Sequence, residues 1–83
     1  MTDDDRIRTV LQAHAKLRVP AAGLADGDDL YAAGMTSHAS VNVMLALEDA
    51  FDVEFPDELL TKHTFCTIAT VRAALQSLTE AAA

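Results

Sequence analysis

Two serines, Ser37 and Ser40, stand just before an apolar run in the stretch GMTSHASVNVMLALEDAFDVEFP, Gly34 to Pro56. A hydroxyl in that position can cap a helix, act as a nucleophile, or serve as a covalent attachment point. Nucleophilic catalysis needs a base within hydrogen-bond reach. His38 adjoins Ser37 in sequence, but adjacent side chains on a helix diverge by about 100° and do not face each other. His14 and His63 lie elsewhere in the chain, and the single Cys66 borders an apolar helix start, where it reads as a small buried residue. Three scattered histidines and one cysteine show no metal-ligand spacing. No catalytic residue and no metal ligand is therefore expected.

Attachment fits better. Ser37 falls where a long loop meets a helix N-terminus, and the free N–H groups and positive dipole end of such a turn favour an anion. A phosphate esterified to the Ser37 hydroxyl would have its charge partly stabilised there. Gly34 just upstream allows a tight turn that helps an enzyme approach the hydroxyl. Ser40 falls one turn inside the helix, as a small packing residue.

A second chemical signal is the run of acids. Glu48, Asp49, Asp52, Glu54, Asp57 and Glu58 lie close together with no Lys or Arg among them. Glu48 and Asp52 are spaced i, i+4 and repel on one face, and acids at a helix C-terminus oppose its dipole. Each effect costs a few tenths of a kcal/mol. An arrangement that weakens the fold points to an acidic face kept for a partner. The whole chain agrees: 13 acids against 6 bases give a charge of −7. Nucleic acid and anionic membrane surfaces are disfavoured as partners, and a basic protein surface is the natural complement.

The elements that must carry these groups are few. The chain of 83 residues is expected to form one domain, ordered from about residue 3 to 79, with a thin aliphatic core. One cysteine rules out an intrachain disulfide. No leader or spanning segment is evident, so a cytoplasmic setting is expected. Thr2-Asp3-Asp4-Asp5 resembles a capping box that opens the first helix. Ile7, Val10, Leu11 and Leu17 follow helical spacing, with His14 in the same stripe as a packed or snorkelling side chain. Val19 before Pro20 stops this helix near Arg18. A loop of residues 19–35 follows, long enough to need apolar anchors, for which Leu24, Leu30 and Tyr31 are the candidates. Asp26, Asp28 and Asp29 lack the central Gly and terminal Glu of a calcium loop. The second helix runs from about Ser37 to Phe51. Its expected core stripe is Val41, Met44, Leu47 and Phe51, widened by Val43, Leu45 and Ala46. A short helical turn follows at Phe55–Leu60 with Pro56 at its start. Thr64 or Thr67 caps the last helix, which carries Ile68, Val71, Leu75 and Leu78 and frays into Ala81-Ala82-Ala83. The fold class is all-α: a small bundle of three main helices plus one short helix, with a long first loop.

This order of elements resembles the acyl and peptidyl carrier protein superfamily. Leu45-Ala46-Leu47-Glu48 through Phe51-Asp52-Val53-Glu54-Phe55-Pro56-Asp57-Glu58 is similar to the second helix and following loop of that family. Leu17-Arg18-Val19 resembles the end of its first helix and Ile68 to Leu78 its last, so the likeness spans about residues 5–79. In that family an Asp-Ser-Leu opens the second helix and its serine carries phosphopantetheine. Counting back from Leu45 puts Ser37 on that serine. The resemblance implies a 4'-phosphopantetheine arm on Ser37, transferred from coenzyme A by a magnesium-dependent phosphopantetheinyl transferase. The arm's thiol would hold an acyl or aminoacyl group as a thioester and present it to a downstream acceptor enzyme. It implies a monomeric, non-catalytic carrier whose docking residues are Thr36, His38, Asn42, Met44, Glu48 and Asp49.

Three positions depart from the pattern: Thr36 replaces Asp, His38 replaces Leu, and Asn42 replaces a common acid. Thr36 can still cap the helix. The changed motif points to dedicated partners and is similar to stand-alone carriers loaded by seryl-tRNA-synthetase-like amino acid:carrier protein ligases, which accept glycine or alanine. A fatty acyl or polyketide load remains the alternative, and an unmodified acidic adaptor that binds a basic protein face is the alternative of another class.

Overall fold

Thr2 opens α1 (Asp3–His14) in the computed structural model, which describes residues 2–82. The Asp5 N–H donates to Thr2 Oγ1 at 3.1 Å and the Thr2 N–H returns the bond to Asp5 Oδ2 at 3.4 Å, so the capping box forms with Asp in the usual Glu position. Ile7, Val10 and Leu11 are the buried face of α1. The helix ends at His14, four residues before the proline-based expectation. The cause is local: Ala15 is the buried C-cap, and Lys16 then takes a left-handed backbone at φ 57°, which reverses the chain. His14 is exposed rather than part of the apolar stripe, because Ala15 and not His14 faces the core.

Residues 16–36 hold no long element, yet their backbone groups are well used. The Arg18 N–H donates to Ala33 O at 2.8 Å, the Leu30 N–H to Cys66 O at 2.7 Å, and the Ala69 N–H to Asp26 O at 3.0 Å. Leu24 and Leu30 are buried and Tyr31 is half-buried, as the anchor reading requires, and Ala21 and Met35 join them. A 3-10 turn at Ala21–Gly23 adds a small element that the sequence reading did not foresee. This is how a long connection satisfies its polar backbone without regular structure.

α2 (Ser37–Phe51) buries Ala39, Val43 and Leu47. Val41 and Leu45, expected in the core, are 50% and 53% exposed. The helix is apolar on nearly every side, so its period admits two stripes. The i, i+4, i+8 line through Ala39 faces the bundle, and the line through Val41, two residues on and about 200° away, faces out. Met44 and Phe51 are half-buried at the margin. Asp52 ends α2 in the left-handed region at φ 53°. A 3-10 turn at Asp57–Leu59 follows Pro56.

α3 (Ile68–Ala82) is capped by Thr67, not Thr64. The Thr70 N–H donates to Thr67 Oγ1 and the Thr67 N–H to Thr70 Oγ1, both at 3.1 Å, a capping box made of two threonines. Thr64 is buried and shares a 3.1 Å hydroxyl contact with Thr61. α3 buries Ile68, Val71, Ala74 and Leu75; it continues through Ala81 and Ala82, where fraying was expected, and Ala83 lies outside the described residues. α1 packs against both α2 and α3. The core is aliphatic apart from Phe55 and Phe65, which meet edge-on with centroids 5.4 Å apart. Fully buried side chains such as Leu11, Leu30 and Leu47 each contribute about 1.5–3 kcal/mol through burial. Among the described residues no strand is present, and no helix is long and apolar enough to cross a membrane.

Candidate functional site

Thr36 is the N-cap of α2, with extended backbone and its Oγ1 accepting the Ala39 N–H at 3.0 Å. That bond satisfies one donor of the first turn and leaves the N–H groups of Ser37 and His38 without a protein acceptor among the described residues. Thr36 thus performs the capping task of an Asp without its charge. Ser37 follows as the first helical residue, exposed, and no group among the described residues bonds its Oγ. Its carbonyl accepts the Ser40 hydroxyl at 2.6 Å, so Ser40 is turned inward on its own helix and half-buried. No histidine bonds either serine hydroxyl, and among the described residues no cluster of His, Cys, Asp or Glu could hold a metal. The site therefore offers an open, unengaged hydroxyl beside two free N–H groups. Those are features of an ester site for an anion, and they fit a phosphate-linked group on Ser37.

Gly34 has a reason different from the one its sequence position gave. Its φ is 123°, and a Cβ there would lie 3.1 Å from Arg18 N and 3.3 Å from Lys16 O. The glycine lets the loop before Ser37 press against the end of α1. It fixes where α2 begins relative to α1.

A groove of about 290 Å³ opens beside Ser37 and Ser40. Its apolar wall is Tyr31, Val41, Met44, Leu60 and Phe65, with Thr61 and Lys62 on the rim. Lys62 places its Nζ 5.0 Å from the centroid of the Tyr31 ring. Lys62 and Leu60 were not singled out in the sequence; only the turn between the 3-10 segment and α3 brings them to α2.

The remaining expected docking residues separate into two kinds. His38, Asn42 and Asp49 are exposed on α2, and Met44 is half-buried in the groove wall. Glu48 is different: its Oε2 accepts the Phe55 N–H at 2.8 Å, and it is half-buried. Its carboxylate holds the chain reversal after α2, alongside the bonds from the Asp52 and Val53 N–H groups to Glu48 O. Val41 and Leu45, one turn apart, continue to Asp49 as an exposed line of two apolar residues and one acid. Sequence reasoning had placed the first two in the core. The signal that finds them is the competing Ala39–Val43–Leu47 stripe, which can face α1 only if Val41 and Leu45 face out.

Residues 5–75 match the family model described as "Phosphopantetheine attachment site". The chain is 48% identical over 65 residues to an aminoacyl carrier protein of Agrobacterium fabrum, covering 78% of each chain. Its fold superposes on the carrier chain of two crystal structures of an engineered Bradyrhizobium japonicum glycine:[carrier protein] ligase complexed with carrier protein from Agrobacterium tumefaciens. For the AMP complex the TM-score is 0.85 at 42% identity, over 88% of this chain and 97% of that one. For the ATP complex it is 0.87 at 41%, over 90% and 97%. A solution structure of an A. tumefaciens protein matches at TM-score 0.74 and 40% identity, over 93% of both chains.

Proposed function

The chain belongs to the phosphopantetheine-attachment family, and from that premise we propose that it is an aminoacyl carrier whose arm is borne by Ser37. The observation that carries this reading is the Ser37 hydroxyl, exposed and unbonded at the first position of α2, beside two free N–H groups. A phosphopantetheinyl transferase using coenzyme A and magnesium attaches 4'-phosphopantetheine there. The arm's thiol supplies the only chemistry, holding the load as a thioester. The chain's own residues position and expose. Thr36 fixes the start of the helix, Gly34 sets its approach to α1, and the first-turn N–H groups stabilise the phosphate charge.

The load is an aminoacyl group delivered by an amino acid:carrier protein ligase and passed to an acceptor enzyme. The A. tumefaciens carrier bound to a glycine ligase is similar over nearly its whole length, which supports glycine or another small amino acid. The groove, about 290 Å³ and open to solvent, falls at the lower edge of ligand-sized pockets. The ligase docks on the outward face of α2, through His38, Asn42, Met44 and Asp49, with Thr36 at the helix start. Val41 and Leu45 add an apolar strip to that face. Glu48 acts there mainly by holding the bend after α2.

Intact-mass measurement after incubation with coenzyme A and a broad-specificity transferase tests the attachment. The expected result is a gain of one phosphopantetheine in the wild type and none in Ser37→Ala, with both proteins melting alike. A gain that persists in Ser37→Ala defeats the assignment. Loading with single amino acids and with fatty acids, each by its own ligase, then tests the cargo.

A further inference from the structure

Of the six basic residues of the chain, two are held in ion pairs among the described residues. Arg8 and Arg72 are ion-paired to Asp4 and Asp26. Arg18 donates to Ala32 O, and Arg6 lies over the Phe51 ring. Lys62 is the cation at the groove. It forms no ion pair among the described residues, although acids crowd the preceding segment. Its ammonium instead lies over Tyr31, and among the described residues it is the only charged side chain lining the groove that also holds Ser37. A lysine at the mouth of an otherwise neutral groove that also holds Ser37 is placed to receive an anion.

We propose that Lys62 is the counter-charge for the phosphodiester of the arm on Ser37, and that this contact turns the arm along the Val41–Met44–Leu60 wall of the groove. The proposal rests on the attachment of the arm to Ser37. The physical basis is charge complementarity at a site already shared by the two residues. A phosphodiester keeps one negative charge at neutral pH, and first-turn N–H groups stabilise it from one side only. An ammonium over an aromatic ring is held by the ring quadrupole and keeps its outward donors free. The apolar wall below can then cover the uncharged part of the arm, as the exposed Val41 and Leu60 invite. Lys62 is thus a positioning residue. It reduces the directions that the thiol samples and leaves thioester chemistry to the enzymes that make and use it.

The experiment uses the apo and holo forms of the wild type, Lys62→Gln and Lys62→Arg. Intact mass first establishes that each holo protein carries the arm. Absence of the arm from the wild type would remove the attachment reading and this proposal with it. Once the arm is present, the phosphorus NMR resonance of the phosphodiester is followed from low salt to about 1 M, where the Debye length is about 3 Å. In the wild type the resonance should move with salt towards its position in Lys62→Gln, which should itself be insensitive. Lys62→Arg should follow the wild type in direction. Amide resonances at Lys62 and Tyr31 should shift between apo and holo wild type and stay still in Lys62→Gln. An armed wild type with the same phosphorus shift and salt response as Lys62→Gln overturns the proposal while leaving Ser37 as the attachment site. A merely structural role for Lys62 would alter melting in the apo protein and leave the phosphorus resonance unmoved.

Discussion

The two sides of this bundle use charge in opposite ways. Where α1, the first loop and α3 meet, Arg8 and Arg72 alternate with Asp4 and Asp26 in a closed ring, with four N···O contacts between 2.8 and 3.0 Å. Arg8 also donates to Ala21 O at 2.8 Å and Leu24 O at 2.7 Å, which clips the loop to α1. On the outward face of α2 and beyond, Asp49, Asp52, Glu54, Asp57 and Glu58 have no ion pair among the described residues, and Val41 and Leu45 are half exposed beside them. The ring completes itself within the chain and serves the fold. The α2 face leaves its charge and its apolar area unmatched among the described residues, which the proposed docking of a ligase would complete. A substitution in the ring should therefore change stability and spare loading, and one on the α2 face should do the reverse.

The largest expected effect comes from Arg8→Ala. The side chain is one-fifth exposed and holds two carboxylates and two loop carbonyls. Removing it leaves those carbonyls to water and breaks charge-assisted bonds, a loss of about 2–3 kcal/mol. Urea unfolding should register that fall, and Arg8→Lys should recover only part of it, because an ammonium cannot reproduce the fork. Below the transition, loading of the folded Arg8→Ala protein should match the wild type. A loading defect as large as that of an α2-face variant would break the distinction between the two sides.

A smaller effect sharpens the comparison through pH. The hydrogen bond from Arg72 is the chief reason that the Asp26 carboxyl lies below its ordinary range, with the charges of Arg72 and Arg8 adding to it against some desolvation. A carboxyl whose pKa is depressed in the folded state adds stability above its unfolded pKa and loses it as pH falls through the folded value. The melting gap between wild type and Asp26→Asn should thus be full at neutral pH and narrow as pH drops below about 4. Parallel melting curves down to the acid limit would mean that the ring contributes through packing alone.

What the sequence made legible follows the range of the interaction. The capping box of α1, the turn after Pro56 and the start of α2 all depend on residues a few positions apart, and all were readable. The ring was not: Asp4 and Arg72 are 68 residues apart and Asp26 and Arg72 are 46 apart. Asp26 taken alone invited only a calcium test. The early end of α1 turns on a non-glycine left-handed residue, Lys16, which composition does not announce. Glu48 looked like a free docking acid because its bond to the Phe55 N–H exists only after Asp52 reverses the chain. The exposure of Val41 and Leu45 was missed because α2 is apolar on two opposite lines, and only packing against α1 chooses between them. The place of Ser37 at the start of α2 was legible from its local setting, whereas Lys62 needed the fold to bring it to the groove.

The smallest effect on stability is expected on the α2 face. Val41 and Leu45 are 50% and 53% exposed, so replacing both by Ser should change unfolding free energy by no more than about 0.5 kcal/mol at each site. Asp49→Lys should be neutral to slightly stabilising, by a few tenths of a kcal/mol, since it relieves acid crowding near the C-terminal end of α2 and complements the helix dipole. Loading should respond in the other direction. Charge reversal at a docking rim acts chiefly on encounter rate, so Asp49→Lys should slow ligase loading by about tenfold at low salt. The deficit should shrink as salt screens the wild-type attraction. The Val41→Ser, Leu45→Ser pair should slow loading with little salt dependence, because its contribution is apolar. If Asp49→Lys loads at the wild-type rate across that salt range, the acids of α2 serve only solvation. The face would then be defined by its apolar strip alone.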